Sequence, residues 1–335
     1  MQFDNLCMQL ALQKAWEYQG LTYPNPAVGS VVTHKGKIVA IEAHRKAGTS
    51  HAEVLALLSA YESLSGNKIG FDRFDAHRAH DFLLQLPPCF FRDCTIYVTL
   101  EPCSHEGKTP SCASLFSKLK LDKVVMAIAD PISSHGGGAA LLESAGTKVD
   151  IGTEAEAANS LIEPFLVWQN RAFVLFKLAQ TSNGKIGGGY LSSPASLTHV
   201  HQLREVCDRL LIGGNTVRTD RPTLDCRFTG GAAPDIAIYS RDREFDQTIP
   251  LYSVERREVS VSDDLDFLQK PSFVLVEGGE GMLRALSEQI DWYLFYQTPK
   301  LSSHNLTYNI DKDLTFLHSE KKGIDMMIWS KERDG

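Results

Sequence analysis

The chain has 335 residues, of which 43% are hydrophobic and 22% charged, and its formal net charge is −7. This length predicts two domains, each with its own core, and the acidic balance argues against a broad nucleic-acid-binding surface. No apolar run approaches the roughly 20 residues of a membrane span, and seven cysteines without a signal peptide predict reduced thiols in a cytoplasmic protein.

The first predicted elements are an amphipathic helix and a β-hairpin. Residues 1–20 place apolar side chains on one helical face. The loop at 23–29 leads into a strand, a turn at 34–37 and a second strand at 38–41. A hairpin that is followed by alternating helices and strands predicts a mixed sheet with helices on its faces.

His51 and Glu53 stand where the next helix is predicted to begin. Ser50 is a good N-cap, and apolar residues follow it at one-face spacing. An imidazole can ligate zinc, and a carboxylate two residues further on can move protons for a metal-activated water. Ser50 and Glu53 alone would also satisfy a capping box, which would make Glu53 structural.

Two cysteines provide further metal ligands in the same half of the chain. The run at 95–100 predicts a buried strand that Cys103 follows, and the helix predicted at 112–119 carries Cys112 in its first turn. Two thiols and the imidazole of His51 complete three corners of a zinc tetrahedron, and water at the fourth corner distinguishes a catalytic site from a structural one. His-x-Glu together with Pro-Cys is typical of zinc deaminases, in which the glutamate is the general acid and base.

The interval between these ligands is unusually long, and residues 65–94 contain what looks like an inserted segment. Cys89, Cys94, His77 and His80 lie in it and could be proposed as ligands. Cys89 lacks a strand-loop-helix context, and Cys94 directly precedes the strand. We therefore predict that they serve packing.

A strand at 123–130, a short helix and a strand at 148–152 complete the first half. We place the domain boundary near residue 152, which gives domains 1–152 and 153–335. The residues directly after the boundary, 154–161, are predicted to form a connecting helix.

The second half begins with a predicted strand at 173–179 and continues as an α/β pattern that suits nucleotide binding. No Gly-x-Gly-x-x-Gly follows that strand, so a standard dinucleotide fingerprint is absent. The strand at 273–277 instead runs through Gly278 and Gly279 into a helix, where backbone amides and the helix dipole favour a phosphate. Glycines that merely allow the turn would give the same pattern.

Three motifs resemble a known family. The sequence EPCSHEGKTPSC at 101–112 resembles the long-loop zinc motif of riboflavin-biosynthesis pyrimidine deaminases. The sequences LLIGGNTVRTDRPTLDCR at 210–227 and VEGG at 276–279 resemble the reductase half of the bifunctional riboflavin-biosynthesis deaminase/reductases. This resemblance covers nearly the whole chain. It implies an N-terminal cytidine-deaminase-like three-layer α/β/α domain with a mixed sheet and a C-terminal dihydrofolate-reductase-like α/β domain.

The resemblance also implies two reactions. Zinc hydroxide would deaminate 2,5-diamino-6-(ribosylamino)-4(3H)-pyrimidinone 5'-phosphate, and NADPH would then reduce the ribosyl group of the product to ribityl. The implied cofactors are Zn²⁺ and NADP(H). The implied partner is a phosphorylated pyrimidine, and neither a nucleic acid nor a membrane is expected as a partner. Whether the chain forms a homo-oligomer stays open.

Individual residues acquire roles through the same resemblance. The zinc ligands are His51, Cys103 and Cys112, the catalytic residue is Glu53, and the deaminase substrate contacts are Asn25 and His44. The NADP contacts are Ala179, Tyr190, Thr216, Asp220, Gly279, Glu280, Gly281, Met282, Leu283, Arg284 and Ala285. The reductase substrate contacts are Arg204, Leu224, Arg227 and Glu277. Guanidinium groups among these can bind a phosphate in a bidentate way.

The chain departs from the family at Asn183, which precedes a glycine where Ser-x-Asp-Gly is usual, and at Gly188 and Tyr190, where Ser-x-Trp is usual. These departures leave the activity of the reductase half open. Two other interpretations also stay open. A nucleic-acid (tRNA) or nucleoside deaminase with an accessory domain would share the zinc site, and a non-enzymatic zinc module would need a fourth protein ligand such as His105 or Cys94.

Overall fold

The computed structural model describes residues 2–105, 107, 109–132, 136–187, 189 and 191–333. The chain forms two compact units, Met1–Phe165 and Leu166–Gly335. The division falls inside a helix, Ala155–Trp168. The domain boundary near residue 152 stays a prediction.

The first unit contains helices α1 to α5 and the first part of α6. The helices are α1 (Gln2–Trp16), α2 (Ala52–Ser65), α3 (Ala76–Leu84), α4 (Cys112–Leu119), α5 (Gly138–Ser144) and α6 (Ala155–Trp168). The strands are β1 (Gly29–His34), β2 (Lys37–Ala43), β3 (Cys94–Val98), β4 (Lys123–Met126) and β5 (Lys148–Ile151). The predicted hairpin is confirmed as β1 and β2, and the opening helix ends at Trp16.

The sheet of the first unit is mixed, as predicted, with strand order β2-β1-β3-β4-β5. Strand β1 runs antiparallel to both β2 and β3, and β3, β4 and β5 are parallel. Ile96 and Val124 pack into a core with residues of α2 and α4. Tyr97, which points to the opposite face, donates to Asp4 of α1 at 2.6 Å. Helices therefore cover both faces, which gives the three-layer arrangement.

The α2–β3 segment (residues 66–93) is the long interval noted in the sequence, and it packs as part of the first unit. Its Phe82 contacts Tyr61 of α2 with ring centroids 4.9 Å apart. Phe91 is fully buried in the same core as α2 and α4. Cys94 is also buried in that core, as predicted.

The second unit contains helices α7 to α9 and strands β6 to β13. The helices are α7 (Pro194–Val206), α8 (Gly214–Asp220) and α9 (Glu280–Ala285). The strands are β6 (Ala172–Thr181), β7 (Arg209–Gly213), β8 (Asp235–Tyr239), β9 (Val259–Ser262), β10 (Ser272–Glu277), β11 (Trp292–Thr298), β12 (Leu314–Lys322) and β13 (Asp325–Glu332).

These strands form one mixed sheet with the order β12-β13-β11-β6-β10-β7-β8-β9. The pairings from β11 through β9 are all parallel, whereas β13 is antiparallel to its neighbours β11 and β12. The carboxyl ends of β6, β10 and β7 therefore lie at one edge, where ligands bind in open α/β sheets.

None of the helices in the described ranges combines the length and the apolar character that a membrane crossing would require.

Candidate active sites

Three of the predicted ligands meet in the first unit. Among the described residues, His51, Cys103 and Cys112 form a cluster whose ligand atoms all lie within 4.8 Å of one another. His51 Nδ1 lies 3.9 Å from Cys103 Sγ and 3.6 Å from Cys112 Sγ. Cys94 and His105, which a closed structural site would have needed, are not members of the cluster.

The two cysteines are placed by the loop and helix that follow β3. Ser111 is the N-cap of α4, where its Oγ accepts from the backbone N–H of Ser114 at 3.1 Å and donates to Cys103 O at 2.8 Å. The backbone N–H of Cys112 donates to Cys103 Sγ at 3.4 Å. The predicted strand-loop-helix setting of both cysteines is confirmed, with the strand ending at Val98.

His51 itself is the N-cap of α2, and no side-chain hydrogen bond caps the helix. The prediction that Ser50 is the N-cap is therefore wrong. Its hydroxyl donates instead to Arg73 O at 2.7 Å, because the α2–β3 segment brings that carbonyl next to it. Without Ser50 as the N-cap, Glu53 cannot belong to a capping box with it. Glu53 is buried and lines the cavity beside the cluster.

Burial and mutual contact set the protonation of these groups. The hydrogen bond from the Cys112 thiol, together with His51, lowers the pKa of Cys103. The same hydrogen bond and burial raise the pKa of Cys112. Burial raises the pKa of Glu53, which suits a carboxyl that has to carry a proton near neutral pH.

Two orienting residues in this site had no predicted role. Thr109 Oγ1 lies 3.1 Å from His51 Nε2, so it fixes the ring with Nδ1 towards the sulfurs. Glu101 accepts from the backbone N–H groups of Gly137 and Ala139 at 3.1 and 2.8 Å, which secures the loop before α5. Both lie in the motif at 101–112, and this position between the two cysteine ligands or directly before them could have indicated a role in the site.

Asn25 and His44 lie together in the wall of the same cavity, which has a volume of about 230 Å³. His44 Nδ1 donates to Ser50 O at 3.2 Å, so Asn25 Nδ2 donates to His44 Nε2 at 3.0 Å. Burial and the neighbouring His51 lower the pKa of His44 to about 3, which keeps the ring neutral. The side chain of Phe165 also lines this cavity.

The donor set of the cluster fits zinc. Zinc takes imidazole nitrogen at about 2.0 Å and thiolate sulfur at about 2.3 Å in a tetrahedron, so its ligand atoms lie roughly 3.5 to 4 Å apart. The two distances from His51 Nδ1 to the sulfurs meet this requirement. His51, Glu53 and Cys103 also line the cavity, so a water or substrate can reach the fourth position.

In the second unit, two glycine turns lie side by side at the sheet edge. Strand β10 pairs with β7 up to Glu277 opposite Ile212, and each strand then enters a helix through glycines. A Cβ built on Gly213 or Gly278 would lie 3.0 or 2.7 Å from Met282, so this side chain packs between the turns. The starts of α8 and α9 are therefore neighbours.

The predicted NADP contacts are distributed over β6, α8 and α9. Ala179 lies in β6, Thr216 and Asp220 lie in α8, and Gly279 is the N-cap of α9. Helix α9 contains the others: Glu280, Gly281, Met282, Leu283, Arg284 and Ala285. A Cβ built on Gly281 would meet no atom within 4 Å, so a phosphate can approach this turn. Tyr190 lies outside the described residues.

Arg204 and Glu277 form a buried ion pair with Lys177 beside it. Arg204 Nε and Nη2 donate to the two carboxylate oxygens of Glu277 at 2.6 and 3.0 Å, and Lys177 Nζ lies 3.5 Å away. Burial alone would raise the pKa of Glu277, but the two cations outweigh it and lower the pKa to about 2. Lys177 had no predicted role, although a lysine inside an otherwise apolar strand could have indicated a buried ion pair.

The loop after α8 joins this cluster. Arg204 Nη1 donates to Asp225 O at 3.1 Å, and Arg227 Nε donates to Asp225 Oδ1 at 2.8 Å. Leu224 is buried with a φ of 56°, an unusual value for a bulky residue, and Arg257 donates to its carbonyl at 2.9 Å. The four predicted reductase substrate contacts thus converge around Asp225 and Glu277.

Asn183, one of the departures from the family, has a definite partner. Its Nδ2 donates to Ser302 O at 2.9 Å, and its Oδ1 accepts from the backbone N–H of Ser302 at 3.1 Å. An aspartate could not donate the first of these bonds. Asn183 therefore anchors the segment that follows β11. Gly188 lies outside the described residues.

Comparison with known proteins covers both units. Residues 1–128 match the family model described as the cytidine and deoxycytidylate deaminase zinc-binding region, and residues 172–302 match the RibD C-terminal domain. The riboflavin biosynthesis protein RibD of Aquifex aeolicus is 37% identical over 235 residues, which is 68% of this chain and 58% of that protein. The RibD of Mycobacterium tuberculosis is 29% identical over 96% of this chain and 95% of its own.

This chain belongs to the RibD family. The RibD of Synechocystis is 34% identical over 71% of this chain. The alignments with the A. aeolicus and Synechocystis proteins span less than two thirds of those relatives' length, at 58% and 60%. The fold agrees with solved RibD structures. The Acinetobacter baumannii protein has a TM-score of 0.67 at 23% identity, and a Thermotoga maritima diaminohydroxyphosphoribosylaminopyrimidine deaminase/5-amino-6-(5-phosphoribosylamino)uracil reductase has 0.67 at 24%, each over 99% of both chains.

Family membership confirms the α/β fold class and the two predicted cofactors. The first unit carries the deaminase zinc-binding region together with its His/Cys/Cys cluster. The second carries the RibD reductase domain, which uses NADP(H) as its cofactor. The individual contacts assigned to these cofactors stay predictions.

Proposed function

We propose that this chain is a bifunctional riboflavin-biosynthesis enzyme that deaminates a phosphorylated diaminopyrimidinone and then reduces the ribosyl group of the product. The observation that carries the proposal is the cluster of His51, Cys103 and Cys112 with Glu53 at the same cavity. It occurs in one chain with a RibD C-terminal domain.

In the first reaction, His51, Cys103 and Cys112 would hold zinc, which when bound lowers the pKa of water to roughly 7. Glu53 takes the proton of the attacking water and delivers it to the exocyclic amine, which leaves as ammonia while the ring carbon gains a carbonyl oxygen. Asn25 and the neutral His44 orient the pyrimidine in the cavity.

In the second reaction, the second unit would hold NADPH, which when bound would supply the hydride that reduces C1' of the ribosyl group. The C1'–O4' bond would break and O4' would take up a proton from water, which leaves the open ribityl chain. The glycine turns before α8 and α9 would hold the cofactor phosphates, and Arg204, Leu224, Arg227 and Glu277 would form the substrate side of the site. Charge compensation within the Arg204–Glu277 pair supports an orienting role for these two residues, because each already satisfies the other.

The proposed partner is a small molecule, and we place the protein in the cytoplasm. All seven cysteines are free thiols, as expected in a reducing compartment.

The test is to incubate the zinc-loaded protein with the diaminopyrimidinone ribosyl-phosphate and to measure product masses with and without NADPH. Exchange of an amine for a carbonyl oxygen without NADPH, and a further gain of two hydrogens with it, would establish both reactions. Deamination alone would restrict the proposal to the first unit. No change would overturn it and direct attention to a tRNA substrate.

A further inference from the structure

The α2–β3 segment contacts the residue that directly precedes the zinc ligand His51. Ser50 is fully buried. Its backbone N–H donates to Phe74 O at 3.2 Å, and its hydroxyl donates to Arg73 O at 2.7 Å. The turn at Arg73 and Phe74 therefore fixes both the backbone and the side chain of Ser50.

Ser50 in turn connects to both working parts of the deaminase site. It is bonded covalently to His51, which begins α2 as its N-cap. Its carbonyl accepts from His44 Nδ1 at 3.2 Å, and His44 holds Asn25 through Nε2. A displacement of Ser50 would consequently move a metal ligand and the predicted substrate pair together.

The guanidinium of Arg73 secures this turn to two other elements. Its Nη1 donates to Glu42 of β2 at 3.3 Å and to Ser59 of α2 at 3.2 Å. Its Nη2 donates to Glu62 of α2 at 3.1 Å. Both carboxylates are about nine-tenths buried, with side-chain exposures of 10% and 12%.

This geometry suits an arginine better than a lysine. A planar guanidinium offers separate N–H groups to partners on two elements, whereas a lysine ammonium is a compact point charge on a flexible stem. Arg73 can thus bind β2 and α2 at once while its own backbone carbonyl receives the Ser50 hydroxyl.

We propose that the α2–β3 segment positions the zinc site, and that Arg73 is the positioning residue through which it acts on Ser50, His51 and His44. The inference rests on the zinc site of the proposed function, but it does not depend on which pyrimidine is the substrate. Groups that hydrogen-bond a metal ligand directly typically change metal affinity by about 10- to 100-fold when they are removed, and Arg73 acts one residue further out, through Ser50.

The experiment compares Arg73→Met with Arg78→Met in the full-length protein. Arg78 is an exposed arginine of the same segment whose guanidinium lies 5.3 Å from the ring of Phe71, so it is a matched control. Zinc affinity is measured by competition with a chromogenic chelator, and kcat and KM are measured for deamination. The NADPH-dependent reaction on pre-deaminated substrate monitors the second unit.

We expect Arg73→Met to bind zinc about tenfold more weakly and to raise the deamination KM, with the NADPH-dependent reaction unchanged. Arg78→Met should retain the zinc affinity of the original protein. If Arg73→Met does not fold, Ser50→Ala decides, because it removes only the hydroxyl bond to Arg73 O and should shift zinc affinity in the same direction.

Unchanged zinc affinity in the folded variants would overturn the proposal, and so would an equal loss in Arg78→Met. Failure of the proposed reaction is distinguishable from both results, since zinc affinity is measured without substrate. A protein that binds zinc but does not deaminate the compound would contradict the proposed function alone.

Discussion

The buried polar groups of the two candidate sites are arranged in opposite ways. In the first unit, the ligand cluster and Glu53 sit beside a cavity, and the groups around them mainly orient donors. In the second unit, Arg204 and Glu277 already neutralise each other. Under the proposed function, the first arrangement leaves the chemistry to a metal and one carboxylate, whereas the second provides a charge-compensated polar wall against which a cofactor and a substrate would be aligned.

This contrast predicts which substitutions should change activity and which should change stability. Substitutions beside the cavity should affect activity with little loss of fold, because those side chains are few and act on bound groups. Substitutions in the buried ion cluster should affect the fold first, because an unpaired charge is left inside the sheet edge.

Zinc removal should give the largest difference between the units. Stripping the metal with a chelator is expected to abolish deamination, since the cluster of His51, Cys103 and Cys112 belongs to the first unit only. The NADPH-dependent reaction on pre-deaminated substrate should continue unchanged. Loss of both activities in parallel assays would show that the units are not independent in this respect.

Glu53→Gln should lower kcat for deamination by about 10²- to 10⁴-fold, because the amide cannot carry the proton. Zinc content, measured by atomic absorption, should stay the same, since Glu53 is not a ligand. Glu143→Gln, which changes an exposed carboxylate of the same unit, is the matched control. A zinc-depleted Glu53→Gln protein would instead mean that this carboxylate supports metal binding.

Arg204→Met should destabilise the second unit by at most about 3 to 5 kcal/mol, because the buried Glu277 loses its bidentate partner and keeps only Lys177, 3.5 Å away. Arg227→Met removes an exposed guanidinium and should cost about 1 kcal/mol or less. Urea unfolding of both variants measures the difference. Equal effects would contradict the view that the Arg204–Glu277 pair organises this site.

Lowering the pH should also weaken the Arg204–Glu277 pair, with a smaller effect on the free energy of unfolding than Arg204→Met. The pKa of Glu277 is about 2 in the folded chain against an ordinary value of 4.5. Its contribution is therefore fully present above about pH 4.5 and is lost as the pH falls towards 2. Unfolding free energies measured across this range should fall less steeply in Glu277→Gln. An unchanged slope would show that other carboxylates dominate acid unfolding.

How well the sequence predicted each part depended on how locally its contacts are made. Cys103 and Cys112 follow from a single strand-loop-helix stretch, and the structure has them there. The prediction that Ser50 is a helix cap was wrong because its hydroxyl donates to Arg73 O. This partner lies 23 positions away, beyond the local residues from which a helix start is predicted.

The second unit shows the same limit more strongly. Its polar cluster joins side chains of β6, α7 and β10 with the loop after α8. Periodicity predicts each of these elements but not which of their side chains meet. Lys177 and Arg257 consequently received no role, and the bonds of Asn183 with Ser302 could not be predicted.

The packing of Met282 has a consequence for how relatives of this chain can vary. Its Cγ lies in the space that a methyl group on Gly213 or Gly278 would need, and its Cβ also crowds Gly278. An alanine at Gly213 therefore calls for a shorter side chain at position 282, whereas an alanine at Gly278 would still meet the Cβ of any residue at that position. Among related sequences, positions 213 and 282 should change together because they share one volume, while position 278 should stay glycine.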